Sequence, residues 1–252
     1  MSDHASPRFS LVIPAHNESA WLPALLDSVD VARRQYRGGE GQIEVIVGNN
    51  QSTDDTAAIA AARGCKVANI EKRAIAAARN GGAAIAEGEW LCFIDADSRI
   101  HPESFNAIDD LIAKKNIVVG ATGVRPDRLS FGIICTWLCA LPVVYLTRVD
   151  SGIVFCRRAD FILIGGYDED MQYAEDIKLL RDLKKLGGSR DVNGHHQLFA
   201  RPRNVPATTS TRKFDKYGDW HYFTRMPRVA FWMLINKSRV EKFTRAYWYE
   251  DR

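Results

Sequence analysis

The chain has 252 residues, 46% of them hydrophobic and 26% charged, with a formal net charge of +3. That length allows one large α/β domain burying roughly 70–75% of its unfolded surface, and the composition is that of a globular protein, not of a disordered or fibrous one. Residues 201–252 hold twelve Lys/Arg against five Asp/Glu and 11 of the 25 aromatic residues, so the first 200 residues are slightly acidic and the tail reads as an interfacial surface.

Phe9–Ile13 is a short apolar strand ended by Pro14, and Asn17 is placed to cap a helix carrying Trp21, Leu22, Leu25, Leu26 and Val29 at helical spacing. Gly38-Gly39-Glu40-Gly41 breaks the chain before a second strand, Ile43–Val47, and Ser52-Thr53-Asp54 can cap a second helix. Cys65–Ile70 reads as a third strand and the Ala-rich stretch 74–86 as a third helix. Ala58–Arg63 and Ala74–Arg79 both spell A-I-A-A-A-R, which two Ala-rich helices explain without a repeat architecture.

Trp90-Leu91-Cys92-Phe93-Ile94 is a buried-strand run, and Asp95-Ala96-Asp97 follows it directly. In open α/β sheets ligands bind outside the carboxyl ends of the strands, so two carboxylates there suit a hard divalent cation holding nucleotide phosphates. The β-α alternation predicts an α/β fold with a mostly parallel sheet and helices on both faces.

Pro102–Lys115 then reads as a helix, Ile117–Val124 as a strand, and Ala174–Leu186 as a helix stopped by Gly187-Gly188. Residues 129–147 carry no charge and approach the length of a membrane span. A crossing there would put Asp97 and the acids near Glu175 on opposite sides of a bilayer, so a buried or interface-facing helix pair bent at Pro142 is expected instead. Five cysteines with no C-x-x-C pair indicate reduced thiols in a reducing compartment and no structural zinc. The N-terminal residues lack a secretory signal, and a cytoplasmic location is the default. His195-His196 lacks partners at metal spacing, and His16 reads as loop structure.

Four pieces then fall in order: Ile13-Pro14-Ala15-His16-Asn17-Glu18 after strand one, Gln51-Ser52-Thr53-Asp54-Asp55-Thr56 after strand two, Ala78-Arg79-Asn80-Gly81-Gly82 before the D-x-D strand, and Glu175-Asp176 opening a late helix after Gly165-Gly166-Tyr167-Asp168. Together they resemble the nucleotide-sugar-dependent family 2 glycosyltransferases over about residues 9–218. The resemblance implies a Rossmann-like A-type glycosyltransferase fold, with a catalytic domain over 1–218 (a nucleotide-sugar half about 9–98 and an acceptor half about 99–218) and a basic aromatic tail over 219–252. It implies an inverting hexosyl transfer from a nucleoside-diphosphate sugar, UDP by family frequency, to an acceptor hydroxyl on a glycan or a lipid-linked molecule. The segment Thr209–Gly218 lacks the Q-x-x-R-W pattern of processive synthases, so non-processive transfer is expected. Nucleic acid is not among the expected partners; a membrane surface is, which would put the protein at the inner face of the membrane.

By the same resemblance Pro14, Ala15, Asn17 and Glu18 and the turn through Asn49, Asn50 and Asp54 hold the nucleoside, and Asp95 lies near the ribose. Asp97 would take Mg²⁺ or Mn²⁺, Arg79 would add positive charge near the phosphates, and Arg212 and Lys213 would close over the diphosphate. Asp176 would be the catalytic base, with Glu175 binding or orienting. Asn49-Asn50 stand where members carry an acid, which leaves the base identity open. The alternatives are a haloacid-dehalogenase-like phosphatase, which also places D-x-D behind a strand, and a non-enzymatic membrane-surface binding module.

Overall fold

A computed structural model describes residues 6–114, 117–147, 151–171, 175–190 and 199–225. His195-His196 and the aromatic tail beyond residue 225 lie outside the described residues. The elements in chain order are β1 (Phe9–Ala15), α1 (Leu22–Gln35), β2 (Ile43–Asn49), α2 (Thr56–Ala62), β3 (Lys66–Asn69), α3 (Ile75–Ala84), β4 (Trp90–Phe93), β5 (Ser98–Arg99), α4 (Ser104–Lys114), β6 (Val119–Ala121), β7 (Val124–Pro126), α5 (Phe131–Thr147), β8 (Val154–Arg157), α6 (Arg158–Leu163), α7 (Glu175–Ser189), β9 (Ala207–Thr209) and α8 (Arg212–Tyr217). The chain divides into two compact units, one of Met1–Arg125 with Asp150–Thr208 and one of Pro126–Val149 with Thr209–Arg252.

The first unit is built on a six-stranded sheet of order β3-β2-β1-β4-β8-β6. β1 pairs parallel with β2 and β4, and β2 pairs parallel with β3, while β8 runs antiparallel to β4 and β6 antiparallel to β8. The expected α/β fold with a mostly parallel sheet is therefore present. The strand order reverses at β1, so the loops leaving β1 and β4 flank one crevice at the carboxyl edge. β1 is buried along its whole length, as is β4, which is why both read as continuous apolar runs and not as alternation.

Local expectations needed correction at several points. β1 runs on through Pro14 to Ala15, in register with Gly48 and Asn49. Asn17 is not a cap: α1 starts at Leu22 after Trp21 with no side-chain cap bond, and the Glu18 carbonyl accepts from Trp21 and Leu22 instead. The stretch 117–124 splits into β6 and β7 around Gly123, whose φ is +81°. Residues 131–147 form one helix with Pro142 inside it, not a helix pair. α7 continues to Ser189, through both glycines meant to stop it, because Leu179, Leu180 and Leu183 on its inner face are fully buried and Gly187 is buried with them.

Close backbone approach sets α3 on the sheet. A Cβ on Gly48 would sit 2.3 Å from the Ala78 carbonyl oxygen, and one on Gly82 would sit 2.5 Å from a Val12 methyl. Without those side chains α3 presses its Ala76, Ala77 and Ala78 face onto β1 and β2, which carries the next residue, Arg79, into the interior.

The second unit contains α5 and α8. Among the described residues no helix is long and apolar enough to cross a membrane. α5 buries Gly132 and Ile133 but exposes Phe131, Ile134, Leu138 and Leu141. Rings of Phe131 and Trp220 lie 5.9 Å apart, and those of Trp220 and Phe223 5.5 Å apart.

Candidate active site

The loop after β1 and the loop after β2 are tied into one structure. Asn50 N–H donates to the Ala15 carbonyl at 2.8 Å, Asn17 N–H to Ser52 Oγ at 3.1 Å, and Glu18 N–H to Thr56 Oγ1 at 2.8 Å. Asn17, at φ +52°, accepts from Thr53 N–H through its side chain at 2.8 Å. Asn tolerates the left-handed region better than most residues, which accounts for its presence at this bend. His16 contacts the Asn50 carbonyl at 2.6 Å and Arg73 at 3.0 Å, so it serves the loop.

Asn49 and Asn50 are engaged in the same structure. Asn49 donates to Asn69 Oδ1 at 2.9 Å and accepts from Ser52 N–H at 3.2 Å, while buried Asn50 donates to the Lys72 carbonyl at 2.7 Å. Asp54 accepts from Thr56 and from Ser19 N–H. Its pKa falls to about 2: partial burial pushes it up, and the hydrogen bonds from Thr56 and Ser19 outweigh that push.

Asp95 and Asp97 follow β4 at the crevice, Asp95 exposed and Asp97 partly buried. The residues present fit a divalent cation of the Mg²⁺ or Mn²⁺ type. Asp97 carries hard carboxylate oxygens of the kind that would ligate such an ion, and among the described residues no three His, Cys, Asp or Glu converge into a ready-made cage. Such an ion keeps several waters and needs only one or two protein carboxylates when substrate phosphates complete its shell.

Arg79 organises the rest. It is 5% exposed, and its guanidinium bonds Asp95 Oδ1 at 3.0 Å, Glu175 Oε1 at 3.1 Å and Asp176 Oδ1 at 3.1 Å. Its face lies 5.0 Å from the centroid of the Tyr167 ring. Full burial opposes its charge, yet Asp176, Asp95 and Glu175 together hold its pKa well above the ordinary value. This cation is therefore occupied by carboxylates within the protein. Burial raises the Glu175 pKa most, with Arg79 pulling it down and the Asp176 charge pushing it up again.

Tyr167 and Asn80 complete the cluster and were not singled out by sequence. Tyr167 Oη donates to Asp176 Oδ1 at 3.0 Å. Asn80 accepts from Tyr167 N–H and donates to the Tyr167 carbonyl and to Glu169, each at 2.9 Å. Their signal was the motifs themselves, because each directly follows a residue or pair already selected. Arg212 and Lys213 stand in the second unit at the start of α8, which Thr211 anchors by two hydrogen bonds to Asp127 Oδ1 at 3.0 and 2.6 Å.

Residues 10–134 match the family described as glycosyl transferase family 2. A "PGL/p-HBAD biosynthesis glycosyltransferase" of Mycobacterium tuberculosis is 35% identical over 182 residues, covering 65% of this chain and 64% of the relative. The chain thus spans just under two thirds of that protein's length. A dolichyl-phosphate beta-glucosyltransferase of Trichomonas vaginalis is 28% identical over 133 residues, 47% of this chain and 41% of the relative.

Among solved structures, S. aureus TarS 1-349 in complex with UDP-GlcNAc superposes with a TM-score of 0.63 at 19% identity, covering 81% of this chain and 59% of that fragment. The glucosyl-3-phosphoglycerate synthase of M. tuberculosis with Mn²⁺ and UDP gives 0.56 at 21% identity, over 84% and 76% of the two chains. At these identities the likeness establishes the fold, which is the A-type glycosyltransferase fold.

Proposed function

We propose that this chain, whose residues 10–134 match glycosyl transferase family 2, is an inverting, non-processive glycosyltransferase with Asp176 as its base. The donor would be a nucleoside-diphosphate sugar, with UDP favoured, and the acceptor a hydroxyl on a glycan or a lipid-linked molecule. The supporting observation is the bridge through Arg79, which holds Asp95 at the end of β4 and Asp176 at the start of α7 on one guanidinium. The donor end and a carboxylate able to take the acceptor's proton are thereby within one side chain of each other.

In the proposed reaction the joined loops carrying Pro14, Ala15, Asn17, Glu18, Asn49, Asn50 and Asp54 receive the nucleoside, and Asp95 faces the ribose. Asp97 would hold Mg²⁺ or Mn²⁺, which when bound balances charge on the departing diphosphate. Asp176 takes the acceptor proton as the new bond forms at the anomeric carbon, and Glu175, largely buried and on Arg79, orients beside it. Arg212 and Lys213 are proposed as cationic contacts to the diphosphate, with the catalytic function residing in 1–218. The test is Asp176→Asn with UDP-glucose, UDP-N-acetylglucosamine and GDP-mannose as donors in Mn²⁺. Turnover should fall ~10²–10⁴-fold, as for removal of a general base, and NMR of the wild-type product should show an inverted anomer. A retained anomer or wild-type turnover in the variant overturns the assignment.

A peripheral site at the cytoplasmic face of a membrane is the second part of the proposal. It is favoured by the exposed stripe Phe131, Ile134, Leu138 and Leu141, spaced by three, four and three residues along one side of α5, and by exposed Trp220 and Phe223. The residues after 225 add six Lys/Arg against three Asp/Glu, which complements an anionic lipid surface. Flotation with vesicles of phosphatidylcholine and phosphatidylglycerol decides. Association that weakens in Leu138→Gln/Leu141→Gln supports this part; wild-type protein that stays with the soluble fraction, or forms dimers through the stripe, removes it.

A further inference from the structure

Tyr167 enters the site by a turn that few sequences could make. Gly165 and Gly166 have φ of +81° and +73°, and a Cβ on Gly166 would stand 2.7 Å from Asn80 Oδ1. Asn80 then clamps the Tyr167 backbone through both its N–H and its carbonyl. The ring packs against both Phe93 and Phe161, with centroids at 5.2 and 5.9 Å, and the Arg79 guanidinium covers one face. The residue is 3% exposed, so its hydroxyl needs a protein partner.

That partner is one oxygen of Asp176. Oδ1 receives Tyr167 Oη at 3.0 Å and Arg79 Nη1 at 3.1 Å. Among the described residues Oδ2 accepts no hydrogen bond. The terminal torsion of a carboxylate is broad and weakly constrained by its own geometry, so a hydrogen bond and an ion pair converging on one oxygen decide where the other points. Burial, reinforced by the Asp176 charge, keeps the phenol's pKa well above its ordinary value, so Tyr167 remains a donor at neutral pH and does not compete as a base.

We infer that Tyr167 is a positioning residue: with Arg79 it pins Asp176 through Oδ1 and so presents Oδ2 to the acceptor hydroxyl. This rests on the reading of Asp176 as base. It also gives Arg79 a different task from direct phosphate contact, since its guanidinium joins the Asp95 end of β4 to the same carboxylate.

Tyr167→Phe removes the hydroxyl and keeps the ring against Phe93, Phe161 and Arg79. The experiment compares wild type, Y167F, D176N and the double variant. It measures nucleoside diphosphate release in Mn²⁺, with water as acceptor, from whichever of UDP-glucose, UDP-N-acetylglucosamine and GDP-mannose the wild type cleaves fastest. Y167F should lose ~10–100-fold in kcat, the scale of one hydrogen bond to a charged group, with donor KM within about twofold. In the D176N background the same change should alter the rate by no more than about twofold, because residues acting through one group are not additive.

Wild-type kcat in Y167F beside an impaired D176N overturns the positioning role and leaves the base reading intact. So does an equal loss in both backgrounds, a raised KM at unchanged kcat, or loss of the folded circular dichroism spectrum in Y167F. Wild-type turnover in D176N overturns the base reading itself, and is recognised by that variant alone.

Discussion

Arg79→Met should destabilise the first unit by about 3 kcal/mol, within the range for breaking a buried charge pair from one side. The side chains it would abandon differ in their access to water. Asp95 is 54% exposed and Asp176 37%, so both recover hydration; Glu175 is 13% exposed and recovers little. Most of the cost therefore falls on Glu175, while methionine keeps apolar volume beneath Tyr167. For a chain of this size about 3 kcal/mol lowers Tm by roughly 6–12 °C.

The loss should depend on pH with a defined sign. Burial already raises the Glu175 pKa, and removing Arg79 takes away the pull that lowers it. A carboxyl whose folded pKa is raised favours the folded state most below its unfolded pKa, and that contribution is lost as pH rises through the folded value. R79M should thus melt closest to wild type at about pH 4.5 and below, the ordinary carboxylate range, where Glu175 is protonated folded or unfolded, and fall away as pH rises through its raised folded pKa towards 8. Adding Glu175→Gln should restore part of the loss at neutral pH. Melting followed by circular dichroism across pH 4.5–8 checks each step. A neutral-pH difference under about 1 kcal/mol, or no rescue by Gln, would refute the reasoning.

Three further outcomes are expected. Asp97→Asn should nearly abolish nucleoside diphosphate release and weaken Mn²⁺ binding seen by electron paramagnetic resonance, with unchanged melting; full activity in EDTA would contradict this. Asn80→Ala removes a side chain that makes three hydrogen bonds around Tyr167; with two Tyr167 backbone groups left unmatched the cost should be about 2–4 kcal/mol, read by urea melts against wild type. Asp54→Asn should lower Tm at pH 7, and the gap should close as pH falls from about 4 towards 2. Wild-type Asp54, with its folded pKa depressed to about 2, loses its contribution across that interval; a pH-independent gap would show that the charge is not what matters.

Wherever one element's own residues carried the information, the sequence alone was enough to place it. The apolar run 90–94 with Asp95 and Asp97 behind it, the helical spacing of Leu22, Leu25, Leu26 and Val29, and the β-α alternation through residue 94 rest on periodicities of a few residues, and the sheet and its carboxyl-edge acids follow from them. Tertiary structure decided what those periodicities cannot reach. α7 runs through Gly187-Gly188 because burial of its leucine face outweighs the local cost of glycine. Asn17 bends the loop in the left-handed region because Thr53, 36 residues later, donates to it, and a cap was the only role its own neighbours suggested. The insertion of antiparallel β8 between β4 and β6 depends on pairing with β4 across more than sixty residues of chain and with β6 across more than thirty. The site depends on distance most of all. Sequence places Arg79 only near the phosphates, by resemblance, and the packing of α3 on β1 and β2 buries it where Glu175 and Asp176, 96 and 97 residues away, become its counter-charges. A buried charge is stable only beside such partners, and which residues they are is fixed by the path of the whole chain.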